Sequence, residues 1–163
     1  MQQVKAQHIS SGSGYDIGQS CLFDGGSLSS SLGTSSAFTA SFWVKRSEFG
    51  SAQKILGDTF GFLSDDTIVF NGTGTQSKYR DPSAWMHIVL AGTGMSNGYL
   101  YINGILHSDG WEGPITPASI GLSLKGYLSD FYFIDGQSLG PEMFALEDSK
   151  GVWNPIPYTG DYG

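Results

Sequence analysis

Apolar and polar residues alternate most clearly along Gly126–Asp148. Read as a strand, residues 127–134 carry large apolar side chains on both faces: Tyr127, Ser129, Phe131 and Phe133 on one, and Leu128, Asp130, Tyr132 and Ile134 on the other. A strand that is apolar on both faces is typical of a central strand covered on both sides. Asp135-Gly136 predicts a tight turn, and Ser138–Phe144 predicts a helix of about two turns that begins near Pro141.

The same alternation predicts further strands along the chain. The clearest is Phe38–Arg46, which places Trp43 on its more polar face, either in a groove or under a covering loop; we favour the loop. Asn103-Gly104 predicts a two-residue type I′ hairpin between 99–102 and 105–107, because both central residues must take positive φ. Short strands are also expected at 21–24, 54–57, 61–64, 67–70, 85–91 and 119–124, and irregular loops at 72–82 and 108–117.

These strands predict the fold class. About ten to twelve short strands separated by frequent turns are typical of an all-β fold. We predict an antiparallel two-sheet β-sandwich of the jelly-roll type with one short C-terminal helix, formed by residues 20–163. Residues 1–19 form an N-terminal arm with few apolar anchors, and its first fourteen residues either order on a neighbouring subunit or fray.

Composition narrows the possible partners. The 163 residues suit one domain, and a net charge of −7 opposes binding to nucleic acid and to anionic membranes. Cys21 is the single cysteine, which excludes an intrachain disulfide, and we expect it to be a small buried apolar residue. The N-terminus lacks an apolar run long enough for a signal peptide or a membrane span, so we expect assembly in the cytoplasm.

Four segments carry a resemblance to a known family: CLFDGGSLSSSL at 21–32, FTASFWVKRS at 38–47, WMHIVLAGTGMSNGYLYINGILHSDG at 85–110 and GYLSDFYFIDGQSLGPEMFALED at 126–148. In this order they resemble concanavalin A-like lectin/glucanase (laminin-G-like) domains. The version they resemble occurs in structural proteins of tailed bacteriophages of cyanobacteria and marine bacteria, and GVWNPIPYTGDYG at 151–163 is similar to the tail of those sequences. The resemblance implies the fold and a virion origin, but the fold hosts lectins, glycanases and passive spacers alike.

The residue patterns do not favour catalysis. Glycanases of this family carry paired carboxylates in a Glu-x-Asp-x-x-Glu pattern, which no segment of this chain matches. His87 alternates with Trp85 and Val89 in a predicted core strand, so we expect a hydrogen-bonded core histidine rather than a catalytic base. We therefore predict that the protein is not an enzyme.

Calcium is a weaker hypothesis. Relatives often hold Ca²⁺ with Asp, Asn and loop carbonyl groups, which are ligands that this hard cation prefers. The candidates in this chain are isolated residues, which more commonly cap turns: Asp58, Asp65, Asp66, Asp81, Asn97 and Asp109. We expect no cofactor.

Two loops offer aromatic residues for binding. Trp111, flanked by Asp109 and Glu112, is the first candidate for a carbohydrate site or a subunit interface, and Tyr79 with Arg80 beside Asp81 is the second. An exposed ring beside polar groups suits a sugar, and a buried tryptophan suits an interface. For Trp111 we favour the interface.

These observations predict a non-enzymatic phage virion protein. Short length, the lack of shaft repeats and an acidic surface favour a capsid decoration or cement subunit, assembled in the host cytoplasm as part of a homo-oligomeric array on other virion proteins. The alternative is a carbohydrate-binding adhesin of the tail fibre or baseplate that recognises host surface glycans.

Trp111→Ala separates these two functions. In a cement subunit the change removes an interface aromatic worth about 2 kcal/mol or more, so particles lose the subunit or burst at lower temperature. In an adhesin the particles stay intact and lose adsorption to the host. The measurement compares adsorption rate with particle thermal stability, and lost adsorption at unchanged stability would contradict the cement hypothesis.

Overall fold

The structure is a computed structural model that describes residues 3–9, 15, 17–29, 37–93, 98–109 and 118–163, and of residues 3–9 and 109 the backbone alone. Its strands, in chain order, are β1 (Gln3–Ile9), β2 (Ile17–Asp24), β3 (Leu28–Ser29), β4 (Ala37–Arg46), β5 (Gln53–Leu56), β6 (Phe60–Phe62), β7 (Thr67–Phe70), β8 (Thr73–Lys78), β9 (Met86–Thr93), β10 (Gly98–Ile102), β11 (Ile105–Asp109), β12 (Ser119–Ile120), β13 (Lys125–Asp135), β14 (Ala145–Glu147) and β15 (Trp153–Pro155). Within these ranges no helix is both long and apolar enough to cross a bilayer.

The strands form the predicted antiparallel sandwich. One sheet has seven strands in the order β1-β2-β13-β4-β9-β10-β11, and the other has six in the order β3-β12-β5-β6-β7-β8. All strand pairs within them are antiparallel. A separate two-stranded sheet joins β14 and β15. The fold class predicted from the sequence is confirmed.

The main core lies between the two large sheets and is rich in phenylalanine. Phe42 packs edge-on against Phe60 and stacks on Phe131, with ring centroids 5.8 and 5.6 Å apart. Phe38 stacks on Phe133 at 5.9 Å. Complete burial of a large apolar side chain contributes about 1.5–3 kcal/mol, so these rings supply much of the stability of the sandwich.

A β-bulge in β13 changes the predicted orientation of its side chains. Ser129 pairs with Trp43 and Tyr132 pairs with Ser41, so Asp130 and Phe131 together oppose one residue of β4. The extra residue reverses the alternation, and Leu128 therefore points into the same core as Phe131. The prediction that they face opposite sides is wrong, whereas the prediction of a central strand covered on both faces is confirmed.

The C-terminal segment, residues 139–163, covers the outer face of the seven-stranded sheet. Its Phe144 and Tyr158 pack on Val89 and Ile134, and its Ala145 packs on Trp43, which is 4% exposed. The expectation that Trp43 lies under a covering segment is confirmed. The predicted helix is much shorter than expected, a single 3-10 turn at Pro141–Met143, because the backbone leaves helical geometry at Phe144, whose ring is buried against the sheet.

His87 joins this covering segment to the sheet. The indole Nε1–H of Trp153 donates to His87 Nδ1 at 3.0 Å, and His87 Nε2 lies 2.9 Å from Ser41 Oγ. The imidazole is fully buried and stacks on Trp43, with ring centroids 5.0 Å apart. The prediction of a hydrogen-bonded core histidine is confirmed. Burial lowers the pKa of His87 to about 3.

The two exposed edges differ from the sequence-based expectation. Residues 73–78, predicted as part of an irregular loop, form β8 at the edge of the six-stranded sheet. The segment is exposed and polar, so it lacks the alternation by which strands are recognised. At the other sheet, β1 pairs with β2 through the backbone of residues assigned to the N-terminal arm. The domain boundary at residue 19 stays a prediction.

The Asn103-Gly104 turn adopts the predicted geometry. The two residues have φ values of +49° and +79° and connect β10 directly to β11. Asn103 also contributes a side-chain contact, since its Oδ1 accepts the backbone N–H of His87 at 2.8 Å. A Cβ atom on Gly104 would lie 2.9 Å from the ring of Trp153. The hairpin therefore packs at Gly104 against Trp153 of the C-terminal segment, which we call the covering segment.

Gly104→Val should destabilise the domain for two reasons, backbone strain at positive φ and overlap with Trp153. The strain alone costs about 1–3 kcal/mol. The matched control is Gly136→Val, where φ is +74° and no atom of the described residues lies within 4 Å of the added Cβ. We expect a lower urea midpoint for both variants and a larger loss for Gly104→Val. An unchanged midpoint for Gly104→Val would contradict the turn geometry.

His87 should make the domain sensitive to mild acid. The unfolded chain protonates this histidine near pH 6.5, whereas the folded protein does so only at about 3. The contribution of neutral His87 to the free energy of unfolding is therefore complete above pH 6.5. It is lost as the pH falls towards the pKa of His87 in the folded protein. Between pH 7.5 and pH 5 the free energy of unfolding should drop by about 2 kcal/mol from this group.

The control for this pH dependence is His87→Gln, which lacks the titrating group. We expect this variant to be less stable than the wild type at neutral pH. Urea midpoints of both proteins are measured from pH 5 to pH 7.5, and their difference cancels the contributions of other titrating groups. The stability difference should shrink as the pH falls. Parallel pH profiles would show that His87 does not titrate differently in the folded and unfolded states.

Candidate functional site

The candidate site begins at the bulge in β13. Asp130 has a φ of +50°, in the left-handed region that favours glycine, and it occupies the bulge position where glycine is common. A non-glycine residue held in this conformation costs free energy, and such residues concentrate at functional sites. Asp130 is therefore a candidate functional residue.

Two tyrosine hydroxyl groups donate to this carboxylate. The hydroxyl of Tyr15 lies 3.0 Å and that of Tyr132 lies 3.2 Å from Asp130 Oδ1. Burial raises the pKa of the Asp130 carboxyl, although the two hydroxyl groups act in the opposite direction. Burial and the nearby Asp130 charge raise the pKa of Tyr132, so its hydroxyl remains a donor. Among the described residues, no donor contacts Oδ2 of Asp130.

Aromatic rings from the C-terminal segment complete the site. The Tyr162 ring lies 6.4 Å from that of Tyr132 and 5.4 Å, edge-on, from that of Tyr158. Tyr158 is held by its hydroxyl, which donates to the carbonyl oxygen of Asp161 at 2.7 Å. Tyr162 is 54% exposed. We call Tyr15, Asp130, Tyr132, Tyr158 and Tyr162 the tyrosine–aspartate cluster.

The chemistry of the cluster is that of a polar recognition site. An exposed ring can stack on an apolar face of a ligand, and a carboxylate oxygen can accept hydrogen bonds from hydroxyl groups. The two tyrosine hydroxyl groups hold the Asp130 carboxylate in one orientation.

The first predicted loop site lies largely outside the described residues. Trp111 and Glu112 belong to the segment that the structure does not describe. Asp109 ends β11, where its backbone pairs with Tyr99. The role of these three residues stays a prediction.

The second predicted pair, Tyr79 and Arg80, adjoins the buried ion pair of Arg46 and Asp66, and the Arg80 side chain itself is 57% exposed. Arg80 Nε lies 2.6 Å from Asp66 Oδ2, and Arg46 Nη2 lies 3.1 Å from Asp66 Oδ1. Arg46 also donates to the carbonyl oxygen of Tyr79 at 3.0 Å. The Arg46 guanidinium lies between the rings of Phe49 and Phe62, 4.8 and 4.2 Å from their centroids. Loss of one partner of this buried ion pair would leave an uncompensated buried charge and destabilise the domain.

The weak calcium candidates are used in local structure. Asp65 accepts from the N–H and hydroxyl of Thr67, and Asp81 accepts from the same groups of Ser83. Burial raises the pKa of Asp66, but the Gly50 N–H and the two arginines outweigh it and bring the value to about 2.

Asp58 has an exposed side chain. Within the described ranges, no three His, Cys, Asp or Glu residues lie close enough together to hold a metal ion. Asn97 lies outside these ranges.

Sequence reasoning missed the tyrosine–aspartate cluster. Its one local signal was Asp130, a carboxylate in the middle of a strand predicted to be covered on both faces. The partners come from distant parts of the chain, since Tyr15 precedes β2 and Tyr162 lies next to the last residue. Their meeting depends on the bulge and on the fold of the covering segment, neither of which alternation predicts.

Comparison with known proteins supports the fold. Neither a protein-family model nor a curated protein sequence matches the chain. Among solved structures, domain 4 of AbnA, a GH43 extracellular arabinanase from Geobacillus stearothermophilus, solved in complex with arabinotriose, matches with a TM-score of 0.60 at 16% identity, over 85% of this chain and 78% of that one.

A second solved structure, the binding domain of Paraclostridial Mosquitocidal Protein 1, matches with a TM-score of 0.57 at 16% identity. The match covers 85% of this chain and 43% of that one. At this identity, the two similarities show a shared β-sandwich fold, and the chemistry of the site has to be argued from its own residues.

Proposed function

We propose that this protein is a non-catalytic carbohydrate-binding domain and that the tyrosine–aspartate cluster is its binding site. The observation that carries the proposal is the exposed ring of Tyr162, which lies 6.4 Å from the ring of Tyr132, the residue whose hydroxyl donates to the Asp130 carboxylate at the bulge. Sugars present apolar C–H faces together with hydroxyl donors, and the cluster offers a partner for each. The shared fold of an arabinanase domain solved with arabinotriose agrees with this class of ligand.

The charge of the cluster favours neutral glycans. Asp130 accepts hydrogen bonds, and the chain as a whole carries a net charge of −7. A uronic or sialic acid would bring a second carboxylate close to the first and pay for the repulsion of like charges. A neutral sugar instead replaces water at Asp130 with its own hydroxyl groups, through charge-assisted hydrogen bonds worth about 1.5–3 kcal/mol each.

Variants of Tyr162 and Asp130 test the site. Tyr162→Ala removes the stacking ring and should weaken binding of a neutral oligosaccharide about tenfold or more, whereas Tyr162→Phe retains the ring and should bind nearly as well as the wild type. Asp130→Asn removes the charge and should weaken binding by a similar factor. Asparagine tolerates the left-handed backbone conformation, so this variant should fold.

A glycan array of neutral and acidic oligosaccharides identifies the ligand, and isothermal titration calorimetry measures the affinities. Thermal melting of each variant verifies that the domain is folded. Equal affinity of Tyr162→Ala and the wild type would place the glycan site elsewhere. The lack of binding to any neutral glycan on the array would contradict the proposed function itself.

The virion role is a second, finer proposal. The edge strand β11 exposes Ile105 at 65% and Leu106 at 48%, and exposed apolar residues on a sheet edge favour association with other subunits. A cement subunit would use such an edge in the particle, with other virion proteins as partners. In a phage adhesin, the glycan site would instead serve attachment to the host. Virions that carry Trp111→Ala distinguish these two roles.

A further inference from the structure

A pocket of about 380 Å³ that opens to solvent lies between the sheets and borders the tyrosine–aspartate cluster at Asp130. β2 and β13 form one wall, and β3 and β12 form the other. The lining consists of the following residues: Gln19, Ser20, Cys21, Phe23, Leu28, Ile120, Leu128, Ser129, Asp130 and Phe131. A concave, mainly apolar pocket with a few polar groups is typical of a small-molecule site.

The walls of the cavity belong to the rigid core. Phe23 and Leu128 are 5% and 4% exposed and are part of the inter-sheet core. Phe131 is held by stacking on Phe42. β2 is hydrogen-bonded to strands on both sides, so the wall that it forms is part of the seven-stranded sheet.

The side chains that pack against the core from these walls are apolar. Cys21, Leu28, Ile120 and Phe131 all pack against the inter-sheet core. Of the polar lining residues, Ser129 donates its hydroxyl to the carbonyl oxygen of Gln19, and Asp130 accepts from two tyrosines in the cluster. The buried hydroxyl of Ser20 has no hydrogen-bond partner within the described part of the chain. An apolar molecule that enters the pocket removes apolar surface from water, and the volume of the pocket lies within the range of about 300–1,000 Å³ that is typical of small-molecule sites.

We propose that this cavity is a second binding site, for an uncharged alkyl chain such as that of a medium-chain alcohol or ester. The mainly apolar lining disfavours a sugar, because most of its hydroxyl groups would face apolar side chains. It also disfavours a fatty-acid anion, because the described lining residues include Asp130 and no cationic residue. The pocket adjoins the tyrosine–aspartate cluster at Asp130, but Tyr15, Tyr132, Tyr158 and Tyr162 are not among its lining residues, and the proposal does not depend on glycan binding.

Cys21 reports directly on occupancy. It is the single cysteine of the chain, it is partly buried, and it lines the cavity. An alkyl chain in the cavity shields the thiol, so saturating decan-1-ol should slow its alkylation by iodoacetamide about tenfold, since the reagent reacts only with the unoccupied fraction. The alkylation rate is measured by mass spectrometry, with a free thiol peptide in the same solution as the control for the intrinsic reaction.

Cavity-filling variants complete the test. Ile120→Phe and Leu28→Phe add volume inside the cavity and should abolish saturable binding of decan-1-ol. Leu22→Phe, at an exposed position of the same strand as Cys21, should bind as the wild type does. Binding is measured by calorimetry after thermal melting has shown that each variant folds.

Saturable binding, protection of Cys21 and loss of both in the filled variants would support the proposal. Unchanged alkylation of Cys21 at saturating decan-1-ol would overturn it, as would binding that persists in a folded, filled variant. If both filled variants fail to fold, protection of Cys21 in the wild-type protein decides the question. Glycan binding by the same preparation shows separately whether the proposed function holds.

Discussion

The hydrogen bond between Trp153 and His87 is the constraint on which the outer layer of the protein depends. Because the indole N–H donates to Nδ1, the imidazole must be neutral and carry its proton on Nε2, where it donates to Ser41 Oγ. One buried ring thus satisfies a donor from the covering segment and an acceptor from the sheet. The geometry specifies which way residues 139–163 lie on the seven-stranded sheet.

The cluster exists because this layer lies on the sheet. Tyr158 and Tyr162 come from the covering segment, whereas Asp130 and Tyr132 come from β13. The relative positions of these side chains therefore depend on how the covering segment is aligned on the seven-stranded sheet. The burial of Phe144 against the layer below, and its stacking on Tyr158 at 5.1 Å, fix that alignment close to the cluster.

Most of the fold could be predicted from the sequence because alternation and turn chemistry are local. The Asn103-Gly104 hairpin and the β7 strand at 67–70 follow from residues that are neighbours in the chain. The bulge at Asp130 could not be predicted, since it depends on pairing with β4, and the polar edge strand β8 has no core face to reveal it. The site was missed for the same reason: its carboxylate and rings meet only in the folded protein.

The position of β13 also affects how the protein is made. In the sheet it separates β2 from β4, but it is synthesised long after both, since β4 ends at Arg46 and β13 starts at Lys125. On the ribosome, the two earlier strands emerge with their facing edges unpaired and with no later strand to fill the gap. Until residues 125–135 emerge, another nascent chain can pair with these edges. The speed of translation sets how long the edges stay exposed to such pairing.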